Sequence, residues 1–277
     1  MDLHLGACLE SVRRRRPLVV CITNIVTVND CANALLAVGA SPVMTDSPQD
    51  ARDLISGADA LYLNIGTVTA SSAELMFHAA QWAKKRDIPI LLDPVGAGAS
   101  EIRTKTAGEL LTSGNIGFLR GNISEIQALA GKSSTIRGVD VGAQDDCRAK
   151  FDANSALAAE LAKRYSICVG VSGPVDCVTS GERLVLVENG DPLLPRICGT
   201  GCVLSAVSAA FAAAPQDPLE AFAAAFALCG LAGERARAIL GPSGGPASMR
   251  TAYLDALFTI SGEDLDRGAR CRTSGSE

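Results

Sequence analysis

The sequence predicts an α/β protein: a mostly parallel, doubly wound central sheet with helices on both faces and a helical C-terminal part. Three observations carry this. Short apolar runs alternate with helical patterns along most of the 277 residues. Several of those runs are apolar on successive positions, as in strands buried on both faces. After Gly199 the chain is mostly helical in pattern, to about Arg267.

The elements follow in order. The chain opens on a helical stretch with a basic last turn, Arg13 to Arg16. Strands are expected at 18–23, 42–44, 60–65, 88–92, 116–119, 167–171, 177–179 and 184–187, from their β-branched and apolar content. Helices are expected between them at 28–38, 51–56, 72–85, 104–111, 124–129 and 153–164. The polar stretch 131–150 is expected as a surface excursion, and the tail from about 271 to 277 as disordered. No linker or repeat interrupts the pattern, so residues 1–277 are expected to form a single domain.

Composition removes several function classes. Hydrophobic residues make up 48% and charged residues 20%, which excludes a disordered chain. Twenty-five basic against 30 acidic residues give a net charge of −5, and aromatics are 4%, so neither a basic footprint nor a stacking surface for nucleic acid is present. The run Leu219 to Leu231 is too short to span a membrane, and PLVVCIT after Arg16 lacks the length and cleavage site of a signal peptide. Ten cysteines without a CxxC pair suit a reducing compartment, so a cytoplasmic location is expected. The only histidines are His4, near a fraying end, and His78, in a helical pattern, which argues against histidine chemistry.

In such a sheet ligands bind beyond the carboxyl ends of the strands. The segments there are CITN, VMTDS, LNIGT, LLDPVGAGAS, LRGNISE and GVSGPVD. Gly199-Thr200-Gly201 precedes a long apolar helix, a place where backbone N–H groups and the helix dipole favour phosphate; a plain glycine turn fits as well. Arg120 at a strand end suits phosphate oxygens. Asn122 and Glu125 fit one face of a first helical turn, and equally an N-cap with its capping-box partner. Asp93 before a glycine-rich turn suits magnesium, directly or through water, or else a turn-forming role. Gly131-Lys132-Ser133 imitates the end of a Walker A loop but follows a helix and lacks the first glycine, where Ile126 stands.

Together, CITNIVTVNDCANALLAVGASPVM, LNIGT, LLDPVGAGA, RGNISEI, RGVD, VSGPVD and CGTGC resemble the hydroxyethylthiazole kinases, a branch of the ribokinase-like superfamily, over about residues 10–260. The resemblance implies phosphorylation of the hydroxyl of 4-methyl-5-(2-hydroxyethyl)thiazole, with ATP as co-substrate and Mg2+. It implies a homotrimer with substrate sites between subunits. By matching motif, Met44, Asn24 and the backbone of Gly199 would meet the thiazole. Arg120, Ser172, Thr200 and Gly201 would meet ATP. Asp93 and Glu125 would organise the metal, with Asn122 in support. Cys202 stands where related sugar kinases carry aspartate. A thiol has a pKa near about 8.5, lowered at a helix start, so Cys202 is expected as the catalytic base. Some positions depart from the family's pattern: Ser172 for threonine, Pro174 for glutamate, Cys198 for threonine, and SGGPAS without the usual PGS. The alternative is a related superfamily kinase acting on hydroxymethylpyrimidine or a sugar.

Overall fold

The computed structural model describes residues 3–131, 144–241 and 243–274, with side chains of 144–151 left aside. Among the described residues nine strands form one sheet: β1 (Leu18–Ile22), β2 (Ser41–Met44), β3 (Ala60–Asn64), β4 (Ile90–Asp93), β5 (Phe118–Asn122), β6 (Cys168–Ser172), β7 (Asp176–Thr179), β8 (Leu184–Val187) and β9 (Cys271–Ser274). Their order is β2-β1-β3-β4-β5-β6-β7-β8-β9. The first six are parallel, joined by helices, and the pairs β6–β7, β7–β8 and β8–β9 are antiparallel. The change of direction has a covalent cause. Only Gly173 to Val175 separate β6 from β7, too few residues for a crossover, which needs about a dozen.

Helices cover both faces because the strands are apolar on both. Along β1, β3, β4, β5 and β6, Cys21, Tyr62, Leu91, Phe118 and Cys168 join one buried cluster, with α1 (Leu5–Arg15), α2 (Val28–Val38), α8 (Thr200–Ala212), α9 (Pro218–Ile239), α10 (Pro246–Thr259) and α11 (Gly262–Gly268). The alternate residues Val20, Leu61, Leu63, Leu92, Leu119 and Val169 join the other cluster, with α3 (Pro48–Ile55), α4 (Ala70–Lys84), α5 (Glu101–Thr112), α6 (Ile123–Leu129) and α7 (Gln144–Tyr165). The period-two alternation of a strand thus sorts the core into two layers.

The expected elements are found with shifted ends, and two expectations are corrected. The tail is not disordered over 271–274: β9 pairs with β8, satisfying the outer edge of a strand that would otherwise present bare backbone groups. CRTS carries no alternating apolar pattern, which is why its strand was not expected. Of the polar stretch 131–150, residues 132–143 lie outside the described residues, while 144–150 already form the first turns of α7. Gly131 follows α6 rather than a strand, and Lys132 and Ser133 lie outside the described residues. His78, on α4, stacks on Trp82 with ring centroids 5.8 Å apart, a packing role. Among the described residues no helix is long and apolar enough to cross a membrane.

Candidate active site

The site is set by strand register. Asn64 pairs with Asp93, the last residues of β3 and β4. Leu92 pairs with Leu119, which sets Asp93 beside Arg120 one residue on. Arg120 pairs with Gly170, and Asn122 with Ser172. Counting by two from Tyr62, Leu91 and Phe118, the side chains of Asn64, Asp93 and Arg120 face the layer that contains α8. The start of α8 therefore caps a polar row at the carboxyl edge of the sheet.

Gly199 is the N-cap of α8, with φ 91°, and no side chain caps the helix. A side chain there would be strained by its left-handed backbone and would also strike Thr27, since a Cβ would lie 2.6 Å from Thr27 Cγ2. The first turn keeps its N–H groups uncapped by any side chain, as a phosphate site requires. Thr200 turns its hydroxyl away to donate to the Leu194 carbonyl at 3.1 Å, so toward a phosphate it offers its backbone N–H. Gly201 lies against Arg120: a Cβ at this residue would stand 2.7 Å from Nη1. Arg120 is buried, donates from Nη2 to Ser172 Oγ, and has no partner for Nε among the described residues.

Asp93 is fully buried. Its Oδ2 accepts from Asn64 Nδ2 at 2.8 Å and from Tyr62 Oη at 3.1 Å, while Oδ1 has no partner in hydrogen-bonding geometry among the described residues. Burial pushes its carboxyl up to about 7, opposed by the Arg120 charge and helped by the Glu125 charge. Glu125 accepts from the Gly96 N–H at 2.9 Å and from the Asn122 N–H at 2.8 Å, and Asn122 Oδ1 accepts from the Glu125 N–H. Asn122 and Glu125 thus form the reciprocal capping box that their spacing also allowed, and the box ties the glycine turn after β4 to α6.

These groups fit magnesium of a particular kind. Among the described residues no set of three His, Cys, Asp or Glu gathers to hold a metal. A buried carboxylate oxygen on Asp93 without a partner in hydrogen-bonding geometry, near the Ser205 hydroxyl and beside Glu125, remains. Magnesium that keeps several waters and is completed by substrate phosphates needs only one or two carboxylates.

Cys202, in the first turn of α8, is buried with its sulfur over the same row. Asn64 Nδ2 lies 3.2 Å and Asn24 Nδ2 3.4 Å from Sγ. The expectation that the helix start lowers its pKa is corrected. Burial and the Asp93 charge push the thiol up, outweighing hydrogen bonds from Thr27, Asn64 and Asn24. Met44 ends β2, opposite Cys21, half-buried against the α8 layer and on the far side of Asn24 from Asp93. The register gathers Asp93, Arg120, Ser172, Gly201 and Cys202; Met44 stands apart at the sheet edge. Two residues went unexpected, Tyr62 and Asn64. The segment LNIGT placed Asn64 at a strand end, the signal that could have found it.

A ribokinase-like small-molecule kinase is what this fold and site define: a phosphate-ready helix start, an arginine and an acidic pair along one carboxyl edge. The pyridoxal kinase of Staphylococcus aureus in complex with AMP-PCP and pyridoxal shares the fold, with a TM-score of 0.61 at 14% identity, covering 93% of this chain and 98% of that one. The chain belongs to the hydroxyethylthiazole kinase family, whose model matches residues 9–263. It is 41% identical over 274 residues to the hydroxyethylthiazole kinase of Methanosphaerula palustris, covering 98% of this chain and 99% of that one. It is 45% identical over 264 residues to that of Methanoculleus marisnigri, covering 95% and 91%. The solved hydroxyethylthiazole kinase of Pyrococcus horikoshii superposes with a TM-score of 0.87 at 36% identity, covering 98% of each chain.

Proposed function

We propose that this single-domain chain transfers the γ-phosphoryl group of ATP to the hydroxyl of 4-methyl-5-(2-hydroxyethyl)thiazole. The observation that carries the reading is the convergence of Cys202, Asp93, Arg120 and the Gly199–Cys202 turn on one carboxyl edge, in a chain whose relatives bear that activity in their names. Arg120, Ser172 and the N–H groups of Thr200 and Gly201 hold ATP phosphates. Met44 and the backbone of Gly199 bound the thiazole beside Asn24. Asp93 and Glu125, with the phosphates, would hold Mg2+, which would supply neutralisation of charge on the transferring group. The substrate hydroxyl attacks phosphorus, its proton passes to Cys202 Sγ in the thiolate form, the bond from phosphorus to the bridging oxygen breaks to leave ADP, and the resulting thiol returns its proton to solvent. Burial and the Asp93 charge make the thiolate the minor form, but the transition state of such transfers is loose, so positioning outweighs base strength and the proton need leave the hydroxyl only late in the transfer.

A homotrimer with shared sites fits the reading, because Met44 sits on an edge strand with one side open to a neighbour. The free state of all nine cysteines among the described residues supports a cytoplasmic setting. The test is ADP release by the purified protein with thiazole alcohol, hydroxymethylpyrimidine and ribose. Turnover of the thiazole alcohol should exceed the others by roughly 10-fold or more, the range a shaped pocket gives. Equal or reversed rates would remove the assignment. A mass in solution of three chains is expected, and a fully active monomer would refute shared sites.

A further inference from the structure

We infer that Asn24 and Asn64 are positioning residues for the phosphoryl transfer: a pair of amides whose N–H groups hold the Cys202 sulfur as an acceptor facing the site. The inference rests on the reading of Cys202 as the group that takes the hydroxyl proton.

Amide orientation is the crux, because an asparagine can donate only from one end. Here backbone donors fix both amides. Asn24 Oδ1 accepts from the N–H groups of Val26 and Thr27, each at 3.0 Å, and these donors cannot be reversed. Its Nδ2 is thereby turned inward, to Asn64 Oδ1 at 2.9 Å and to Cys202 Sγ. Asn64 Oδ1 accepts from the Gly66 N–H at 2.8 Å, so its Nδ2 must face Tyr62 Oη, Asp93 and Cys202, three acceptors that share its two N–H groups. Gly66 allows this approach: a Cβ at that residue would lie 3.0 Å from Asn64 Oδ1 and 3.1 Å from Asn24 Cβ. Both amides are nearly fully buried, at 4% and 1% exposure, so water does not compete for their donors.

The two N–H groups approach one sulfur from β3 and from the loop after β1. With the Thr27 hydroxyl as a third partner, they fix where the sulfur points. Placing an acceptor within hydrogen-bond reach of the proton it takes is a geometric requirement before it is anything else. Asn24 is the cleaner handle, since its recorded bonds reach Cys202 but not Asp93.

The experiment is a double-mutant cycle on the full chain with Asn24→Asp, Cys202→Ala and the pair. Aspartate keeps the oxygen that caps Val26 and Thr27 and removes both inward N–H groups. Asn24→Ser, which keeps a capping oxygen but does not reach the sulfur, is run beside it in case the buried carboxylate prevents folding. With Cys202 present, either Asn24 variant should lower kcat by about 10-fold or more, a part of the ~10²–10⁴ a positioned base contributes, with KM for ATP within about threefold. With Cys202→Ala, the same Asn24 change should lower kcat at least about threefold less than it does with Cys202 present, while any loss of a thiazole contact falls equally on both backgrounds and cancels from the cycle. Equal losses in both backgrounds would overturn the positioning role and leave Cys202 as proton acceptor untouched. An unchanged kcat in Cys202→Ala alone would overturn the reading of the thiol and this inference with it.

Discussion

Gly201 has a helical backbone, so its lack of a side chain answers to a neighbour, not to φ. That neighbour is the Arg120 guanidinium. Gly201→Ala should raise KM for ATP about 10-fold through a displaced phosphate contact. Thermal stability should hold, because alanine favours a helix over glycine by about 1 kcal/mol. Steady-state kinetics against ATP check this; an unchanged KM would separate Arg120 from the phosphates. Asp93 offers a second prediction. Its folded pKa of about 7 lies above the ordinary carboxylate value of about 4. The stability its neutral form lends is full below about pH 4 and is lost as pH rises through 7. In metal-free protein, the Tm of the parent should therefore fall relative to Asp93→Asn by roughly 5 °C between pH 4 and 7, as read by thermal melts. At this scale the sequence was informative where chemistry sits at a strand end, as with Asp93 and Arg120, or at a glycine turn before a helix, as with Gly199 and Cys202. It placed Asn64 at a strand end but not its role, which depends on standing opposite Asp93 in β4, a register that no local pattern encodes. It also misjudged the Cys202 thiol, because a helix start is local while burial is set by α8 lying on β3 and β4.

At the scale of elements, α9 settles unusually close to β6. Phe222 packs edge-on to Phe118 and Phe226, with centroids 5.4 and 5.3 Å apart, and a Cβ on Gly170 would lie 2.6 Å from Phe226 and 2.9 Å from Phe222. Overpacking of this kind costs about 1–3 kcal/mol. Gly170→Ala should lower Tm by several degrees, whereas Gly108→Ala, on α5 with open space around its Cβ, should raise it slightly. Melting curves of the two variants carry the test, and equal shifts would mean that the rings move aside. The alternation of strand and helix was legible up to β6 because each crossover has its own periodicity. The antiparallel return was recoverable from the short gap after Ser172. The start of α7 was not, since QDDCRAK is polar on every face and resembles a loop.

For the whole molecule, the buried thiols dominate behaviour in alkali. Burial pushes Cys177 and Cys271 up to about 11, and Cys8, Cys168 and Cys229 up to about 12. Each is raised, so each lends stability in full below the unfolded value of about 8.5 and loses it as pH climbs toward the folded value. Tm should fall steadily between about pH 8.5 and 11, more steeply than carboxylates or histidines allow. Cys168→Ala and Cys229→Ala should each flatten that slope. A level Tm over the range would show that water reaches these thiols. The cysteine count was plain in the sequence, and their placement in apolar runs pointed to packing. Their division between the two faces of the sheet was not, because it follows from which strand neighbours which.

The strand at the far end, β9, has a further consequence. Arg272 and Thr273 make it a polar selvage sewn along β8, whose own sequence is LVLV. Removing residues 271–277 would leave that greasy ribbon bare, with unsatisfied amides running along it. A chain ending at Arg270 should self-associate as its concentration rises, by templating strand upon strand, while the candidate site reaches no further than Ser172 on β6, two strands in from β8. Light scattering over a dilution series would show it, and a shortened chain that stays unassociated would mean that β8 needs no such hem.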